Sequence, residues 1–358
     1  MINAEEFVEK LVSDGYSHIC AVPCSFAKGL INASINNKDI EYVGCANEGV
    51  AGSIASGIIL SGGKALVIIQ SSGITNISSC LSSMVSPFEV KLPVLTSWRP
   101  YKEGASEIQH KILAENLPNF VSACGLELKP IPETSITEAV ESISDGGIFS
   151  FNKSTFSFVE LDSPPVNSYE PRNKFLEVLK EHPNTSNAKY ISTTGYMSRE
   201  VYNFSKEMDN YYQVGNMGNA LSIGLGASIL NDRVVVLGGD AEFAMHMGGM
   251  LTAGRYNTSL LYILFDNESN RSTGGQDTQQ THVDYKQIAT ASGFEVESET
   301  IVSPSMLKEF LNTLSSTPGE KQKFVYIKCG PSESDTTLGR PTLEYLLNAN
   351  RTSLFRDD

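Results

Sequence analysis

The 358-residue chain has no Cys-x-x-Cys pair, no long apolar run, no dense basic patch and a single tryptophan. Each absence closes a class of function. Without paired spacing, the six cysteines Cys20, Cys24, Cys45, Cys80, Cys124 and Cys329 read as free thiols in a reducing compartment. The longest apolar runs, such as Ala65 to Ile69 and Val234 to Leu237, are strand-length and too short to cross a membrane. The start, Met1-Ile2-Asn3-Ala4-Glu5-Glu6, has neither the basic residues nor the apolar stretch of a secretory signal, so a cytoplasmic location is expected. Lys and Arg number 27 against 41 Asp and Glu, a net charge of −14. An acidic chain without a basic patch is a poor partner for nucleic acid. What is present is 41% hydrophobic and 19% charged residues, the balance of a globular protein. The length suits two domains.

Strand-like and helix-like segments alternate. Glu5 to Ser13 and Glu48 to Leu60 have helical character. Short apolar stretches at His18 to Val22, Ala65 to Ile69, Val90 to Leu95, Phe156 to Leu161, Val234 to Leu237, Leu260 to Phe265 and Phe324 to Lys328 read as buried parallel strands. The pattern predicts an α/β architecture with mostly parallel sheets. Residues 162–171, with three prolines, read as a linker. They separate a domain at 1–165 from one at 172–358. Sliding the chain by 169 positions places Ser53-Ile54-x-x-Gly57 on Ser222-Ile223-x-x-Gly226 and Ala65 to Ile69 on Val234 to Gly238. The closing strands, Phe156 to Leu161 and Phe324 to Lys328, agree within a residue or two. Two similar parallel-sheet domains are therefore expected, with ligands beyond the carboxyl ends of the strands.

The strand Val234 to Leu237 runs into Gly238-Gly239-Asp240-Ala241-Glu242, with a helix expected from about Phe243. The strand Leu260 to Phe265 runs into Asp266-Asn267-Glu268-Ser269, which puts Asn267 27 residues after Asp240. A carboxylate, an amide oxygen and a backbone carbonyl at neighbouring strand ends are hard ligands that suit magnesium carrying phosphate oxygens. Small residues at 239 and 241 let a diphosphate approach the backbone at a helix start. An ordinary strand-to-helix turn with a capping aspartate would show the same residues.

Gly239-Asp240-Ala241 with Asp266-Asn267 resembles the binding motif of thiamin diphosphate enzymes, with Ala241 in place of a glycine and Asp266 in place of an asparagine. Asn47-Glu48-Gly49-Val50-Ala51-Gly52 resembles the segment of those enzymes that carries the catalytic glutamate. The resemblance implies that Glu48 shares a proton with the cofactor's pyrimidine ring and so activates it. Val214-Gly215-Asn216-Met217-Gly218 is similar to the loop whose bulky residue wedges between the two cofactor rings, here Met217.

The chain has no room for the central third domain of most large thiamin decarboxylases. Further strings are similar to the phosphonopyruvate decarboxylase family, with sulfopyruvate decarboxylase as a near relative. They are Val22-Pro23-Cys24-Ser25, Gln70-Ser71-Ser72-Gly73, Trp98-Arg99, Glu107-x-Gln109-His110, Ser192-Thr193-Thr194-Gly195 with Ser198-Arg199-Glu200, and Ser272-Thr273-Gly274-Gly275-Gln276. The resemblance implies decarboxylation of 3-phosphonopyruvate to phosphonoacetaldehyde and carbon dioxide in phosphonate biosynthesis. It implies a homodimer or larger assembly, with Glu48 and Asp240 of different subunits in one site.

By the same resemblance, Asp240, Asn267 and the Ser269 carbonyl hold magnesium. Thr194, Gly195, Ser198, Gly239 and Ala241 lie where diphosphate contacts belong, and the Gly215 carbonyl takes the 4′-amino group. Ser25, Arg99, Gln109 and His110 are the expected pocket for a small anionic 2-oxoacid. The chain departs from the family at Asn219 and Asn270, where histidines are expected, and at Arg271. Asparagine hydrogen-bonds but transfers no proton near neutral pH, and an added guanidinium can grip a dianionic acid. A sulfopyruvate decarboxylase, or a carboligase that passes the product fragment to a second carbonyl compound, is therefore the alternative.

Overall fold

The computed structural model describes residues 1–100, 108–231, 233–314, 321–332 and 338–354. The chain divides into two units. One comprises Met1–Pro165 with Asn270–Asp277, the other Val166–Ser269 with Thr278–Asp358. The short stretch Asn270–Asp277 lies within the expected second domain in sequence, yet it groups with the first unit.

The first unit holds a six-stranded sheet built from β1 (His18–Ala21), β2 (Glu41–Gly44), β3 (Ala65–Gln70), β4 (Pro93–Ser97), β5 (Leu128–Pro130) and β6 (Gly147–Phe151). Their order is β2-β1-β3-β4-β6-β5, and all pairs run parallel. Parallel neighbours need crossovers; α1 (Ala4–Ser13) precedes β1, and the helices α2 (Lys28–Asn36) and α3 (Glu48–Leu60) supply the first two of them. The sheet is apolar on both faces. Leu66 and Ile68 of β3 join one core cluster, and Ala65, Val67 and Ile69 join another.

In the second unit the sheet strands are β7 (Lys189–Ser192), β8 (Asn210–Tyr212), β9 (Val234–Gly239) and β10 (Leu260–Asp266). After two-residue strands at Ser269–Asn270 (β11) and Gln276–Asp277 (β12), the sheet is completed by β13 (Glu295–Val296) and β14 (Lys323–Lys328). Its order is β13-β14-β10-β9-β7-β8, again all parallel. Counted from the first sheet strand of each unit, both orders read second, first, third, fourth, sixth, fifth. The expected duplication is visible as an identical topology. In β10, Leu261, Ile263 and Phe265 face one core and Leu260, Tyr262 and Leu264 the other.

One expected strand is absent. Phe156 to Leu161 makes only a single bridge, between Ile2 and Phe156, and the closing strand is β6, earlier in the chain. The slid alignment of the closing strands therefore fails. The segment crosses α2 instead. Asn32 Nδ2 donates to the Val159 carbonyl at 2.9 Å, and Asn36 Nδ2 to the Glu160 carbonyl at 2.7 Å. These side chains replace a ladder in satisfying the backbone. Gly29 is required by the crossing, because a methyl carbon there would lie 2.0 Å from the Ser157 carbonyl oxygen. Among the described residues no helix is long and apolar enough to cross a membrane.

Candidate active site

In sheets of this order the connections reverse direction between the first and third strands, and the loops there splay apart to leave a crevice. In the first unit that point lies between β1 and β3. Their carboxyl ends run into Ser25 and into Gly73, respectively. Glu48 opens α3, capped by Asn47, whose Oδ1 accepts from the Val50 N–H at 3.0 Å. The carboxylate is buried, 4% exposed, and its Oε2 accepts from Asn76 Nδ2 at 2.7 Å. Gly73 makes room for it: a methyl carbon there would lie 2.4 Å from Glu48 Oε1. Asn76 was not legible as a site residue. Gly73 was visible only as the last residue of a string.

Ser25 and Arg99 come together. An Arg99 terminal nitrogen donates to Ser25 Oγ at 2.6 Å, and the guanidinium lies 4.2 Å from the Phe26 ring centroid. Arg99 Nε and Gln109 Oε1 are buried without a hydrogen-bond partner among the described residues. His110 is buried at the start of the helix Lys111–Ala123. The Trp98 indole donates to the Ala114 carbonyl at 3.0 Å, tying the end of β4 to that helix. Glu107 lies outside the described residues. Asn270 and Arg271 group with this unit. The Asn270 carbonyl accepts from the Gly275 N–H at 3.0 Å and from Thr273 Oγ1 at 3.1 Å.

In the second unit the crevice falls between β7 and β9, and both ends carry expected residues. After β7, Gly195 takes φ +83°, a left-handed conformation natural to glycine. Thr194 Oγ1 donates to the Val214 carbonyl at 3.3 Å, linking this turn to the loop with Gly215 and Met217. Ser198 is buried, and its hydroxyl donates to the Thr193 carbonyl at 2.7 Å, so it braces the turn from inside. Asn216 takes φ +55° beside the partly exposed Met217, a strained conformation for a non-glycine residue. Gly218 has φ +92° and no space for a side chain, since a methyl carbon would lie 2.5 Å from His246 Cδ2. Asn219 Nδ2 donates to Asn216 Oδ1 at 2.9 Å.

After β9 the helix begins at Asp240 itself, three residues earlier than expected, with Gly239 as its cap. Asp240 is 4% exposed, and its Oδ2 has no hydrogen-bond partner among the described residues. Burial, then the negative charge of the adjoining Asp266 carboxyl, push the Asp240 carboxyl well above its ordinary range. The Ala241 N–H and the charge of Arg172 offset this in part. Asp266 is buried at the end of β10, where Oδ1 accepts from the Glu268 N–H at 2.9 Å and Oδ2 from the Tyr326 hydroxyl. The turn that follows is unusual: Glu268 takes φ +59° and pairs with Lys328. The half-buried Asn267 sits between them, its carbonyl accepting from Asn167 Nδ2 at 3.1 Å.

Two buried carboxyls in contact, one with an orphaned oxygen, form a site short of positive charge. The residues therefore fit a divalent cation. Among the described residues, no three or more His, Cys, Asp or Glu side chains form a metal-binding group. Sequence reasoning gave no role to two further buried groups. Arg172 grips Glu200 through two hydrogen bonds of 2.6 and 2.7 Å. Glu242, pushed up to about 7 by burial, accepts from the Ala220 N–H at 3.2 Å and the Tyr262 hydroxyl at 3.3 Å.

Comparison with known proteins agrees with this geometry. Residues 1–116 match the thiamine pyrophosphate enzyme N-terminal TPP binding domain, and residues 191–329 match the C-terminal TPP binding domain. The chain is 29% identical to a phosphonopyruvate decarboxylase of Streptomyces viridochromogenes, over 95% of this chain and 91% of that protein. It is 25% identical to a sulfopyruvate decarboxylase of Methanosarcina acetivorans, over 82% and 84% respectively. A sulfopyruvate decarboxylase subunit beta of Methanocaldococcus jannaschii is 32% identical, over 44% of this chain and 85% of that subunit. With a thiamine pyrophosphate-binding domain in each half, the chain belongs to the thiamine pyrophosphate enzyme family.

Proposed function

We propose that the protein decarboxylates a 2-oxoacid with an anionic tail, 3-phosphonopyruvate first, using thiamin diphosphate and magnesium. The observation that carries this reading is the likeness along 95% of the chain to a phosphonopyruvate decarboxylase. When bound, thiamin diphosphate supplies a nucleophilic carbon and an electron sink for the departing carboxylate. Glu48 is the proton-sharing acid. Asn76 fixes its Oε2, and we assign Oε1, beside Gly73, to the cofactor's pyrimidine nitrogen. Asp240, the Asn267 amide and the Ser269 carbonyl are the magnesium ligands. Gly239, Ala241, Thr194 and Gly195 offer close backbone approach to the diphosphate. Ser198 supports that turn, the Gly215 carbonyl is the acceptor for the amino group, and Met217 is the wedge.

Arg99 is the main cation for the phosphonate, preoriented by Ser25 and Phe26, with Gln109 and His110 nearby in sequence and Arg271 as an added charge. Asn219 and Asn270 favour a second reading, carboligation, because neither can deliver a proton to the product fragment. The active form is a homodimer or larger, with Glu48 and Asp240 contributed by different subunits. A cytoplasmic setting fits the six free thiols. Carbon dioxide release from phosphonopyruvate, sulfopyruvate and pyruvate, with the organic product identified, tests the proposal. Release from none of them defeats it, and a coupled carbon–carbon product selects the second reading.

A further inference from the structure

Asn32 holds two pieces of chain at once. It is buried on α2, its Nδ2 donates to the Val159 carbonyl, and its Oδ1 accepts from Gln276 Nε2 at 2.8 Å. Gln276 is buried as well, with Oε1 3.5 Å from Thr273 Oγ1. Lys28, one turn earlier on α2, meets the same stretch of chain. A methyl carbon at Gly274 would lie 3.1 Å from Lys28 Cγ and 2.3 Å from Gln276 Nε2. Gly274 and Gly275 both have positive φ, so this closely folded strap needs glycine at both. The strap Asn270–Asp277 is thus closed on itself by the Asn270 carbonyl and pinned to α2 by one buried amide pair. Breaking such a pair on one side strands the other group without a partner, which costs more than the bond contributes when made. Ser25, the partner of Arg99, stands three residues before Lys28.

We infer that the Asn32–Gln276 pair is a positioning device. It seats Asn270 and Arg271 against α2 and so tunes which 2-oxoacid is accepted. Neither Asn32 nor Gln276 acts on substrate; both act through the strap. The identity of the acid rests on the function proposed above, whereas the seating does not.

The test uses the full chain with thiamin diphosphate and magnesium, comparing wild type with Gln276→Ala and the isosteric Gln276→Glu, which removes the donor but keeps the shape. Trypsin cleavage after Arg271, followed by mass spectrometry of the new terminus at Ser272, reads the seating directly. It should accelerate about tenfold or more in both variants, as expected when a local closed state loses a buried hydrogen bond. The KM for phosphonopyruvate should rise about tenfold, while thiamin diphosphate affinity and the KM for pyruvate change less than about twofold. A merely structural role would weaken both acids alike. Unchanged cleavage in Gln276→Glu overturns the seating, and an equal KM rise for both acids overturns the role in selection. If no acid is turned over, the proposed function fails, and the cleavage rates still decide the seating.

Discussion

The two units share a strand order and differ in how they treat a buried acid. In the first, Glu48 is completed: Asn76 holds one oxygen and Gly73 clears space beside the other. In the second, Asp240 is left short, with an orphaned oxygen and the Asp266 carboxyl against it. The sheets provide equivalent platforms, and the loops at their carboxyl ends decide the chemistry. A satisfied acid can exchange one proton with a partner. A pair of crowded acids instead calls for a cation.

The largest effect should come from breaking the second unit. Asp240→Ala removes the charged group we assign to magnesium and leaves the diphosphate poorly balanced, so purified protein should carry no thiamin diphosphate while remaining folded. Cofactor content by absorbance or calorimetry checks this, and wild-type content would remove Asp240 from the cation site. Breaking the first unit should act differently. Glu48→Gln should keep the cofactor and lose at least ~10²-fold in turnover, the scale of a lost acid–base contribution. Exchange of the thiazolium proton with deuterated water is the direct probe, and a wild-type rate there would refute the role. Mixed subunits of the two variants sharpen the contrast further. If one site draws Glu48 and Asp240 from different chains, hybrids should recover part of the activity that each parent lacks.

A smaller effect belongs to the pocket. Arg99→Ala should raise the KM for an anionic 2-oxoacid about ten- to a hundredfold, the loss of a charge-assisted hydrogen bond. Binding of thiamin diphosphate should not change. Steady-state kinetics on phosphonopyruvate and pyruvate decide it, and a parallel rise for both acids would remove Arg99 from tail recognition.

Much of the fold was legible because burial on both sheet faces leaves a continuous apolar signature, as in β3, β9 and β10. The failure at Phe156 to Leu161 is instructive. A strand and a crossing segment can share the same apolar spacing, and what separates them is the partner of the backbone. That partner, Asn32 and Asn36 of α2, lies more than a hundred residues earlier in sequence. The Asp240 turn was legible because small residues and an acid must stand in series at a strand end. Asn76 and the Arg172–Glu200 pair were not, because a polar residue on a helix carries no local mark of the buried acid or base it will meet. The helix start at Asp240, three residues before the apolar pattern begins, escaped for a related reason: its first turn holds Asp240 and Glu242, both buried.

The finest test separates an acid strained by its fold from an acid awaiting a cation. In the metal-free protein, burial and Asp266 raise the carboxyl of Asp240 well above its ordinary range, with Arg172 only a partial offset. That carboxyl therefore keeps its proton to a higher pH than an exposed aspartate does. The folded state therefore holds this proton more tightly than the unfolded chain, where an aspartate titrates near ~3.9. By linkage the stabilising contribution is fully present below that pH. It is lost as pH rises toward the raised folded value, above which ionisation opposes folding. Asp240→Asn keeps the shape and removes the ionisation. Without metal or cofactor, the variant should melt several degrees higher than wild type at neutral pH, and the gap should close toward pH 4. Adding magnesium and thiamin diphosphate should reverse the order, because only the wild-type carboxylate gains a cation. Thermal denaturation across pH, with and without both ligands, reads all three outcomes. A metal-free variant less stable than wild type at neutral pH would mean that Asp240 is not held at a cost, and the cation site would lose its physical basis.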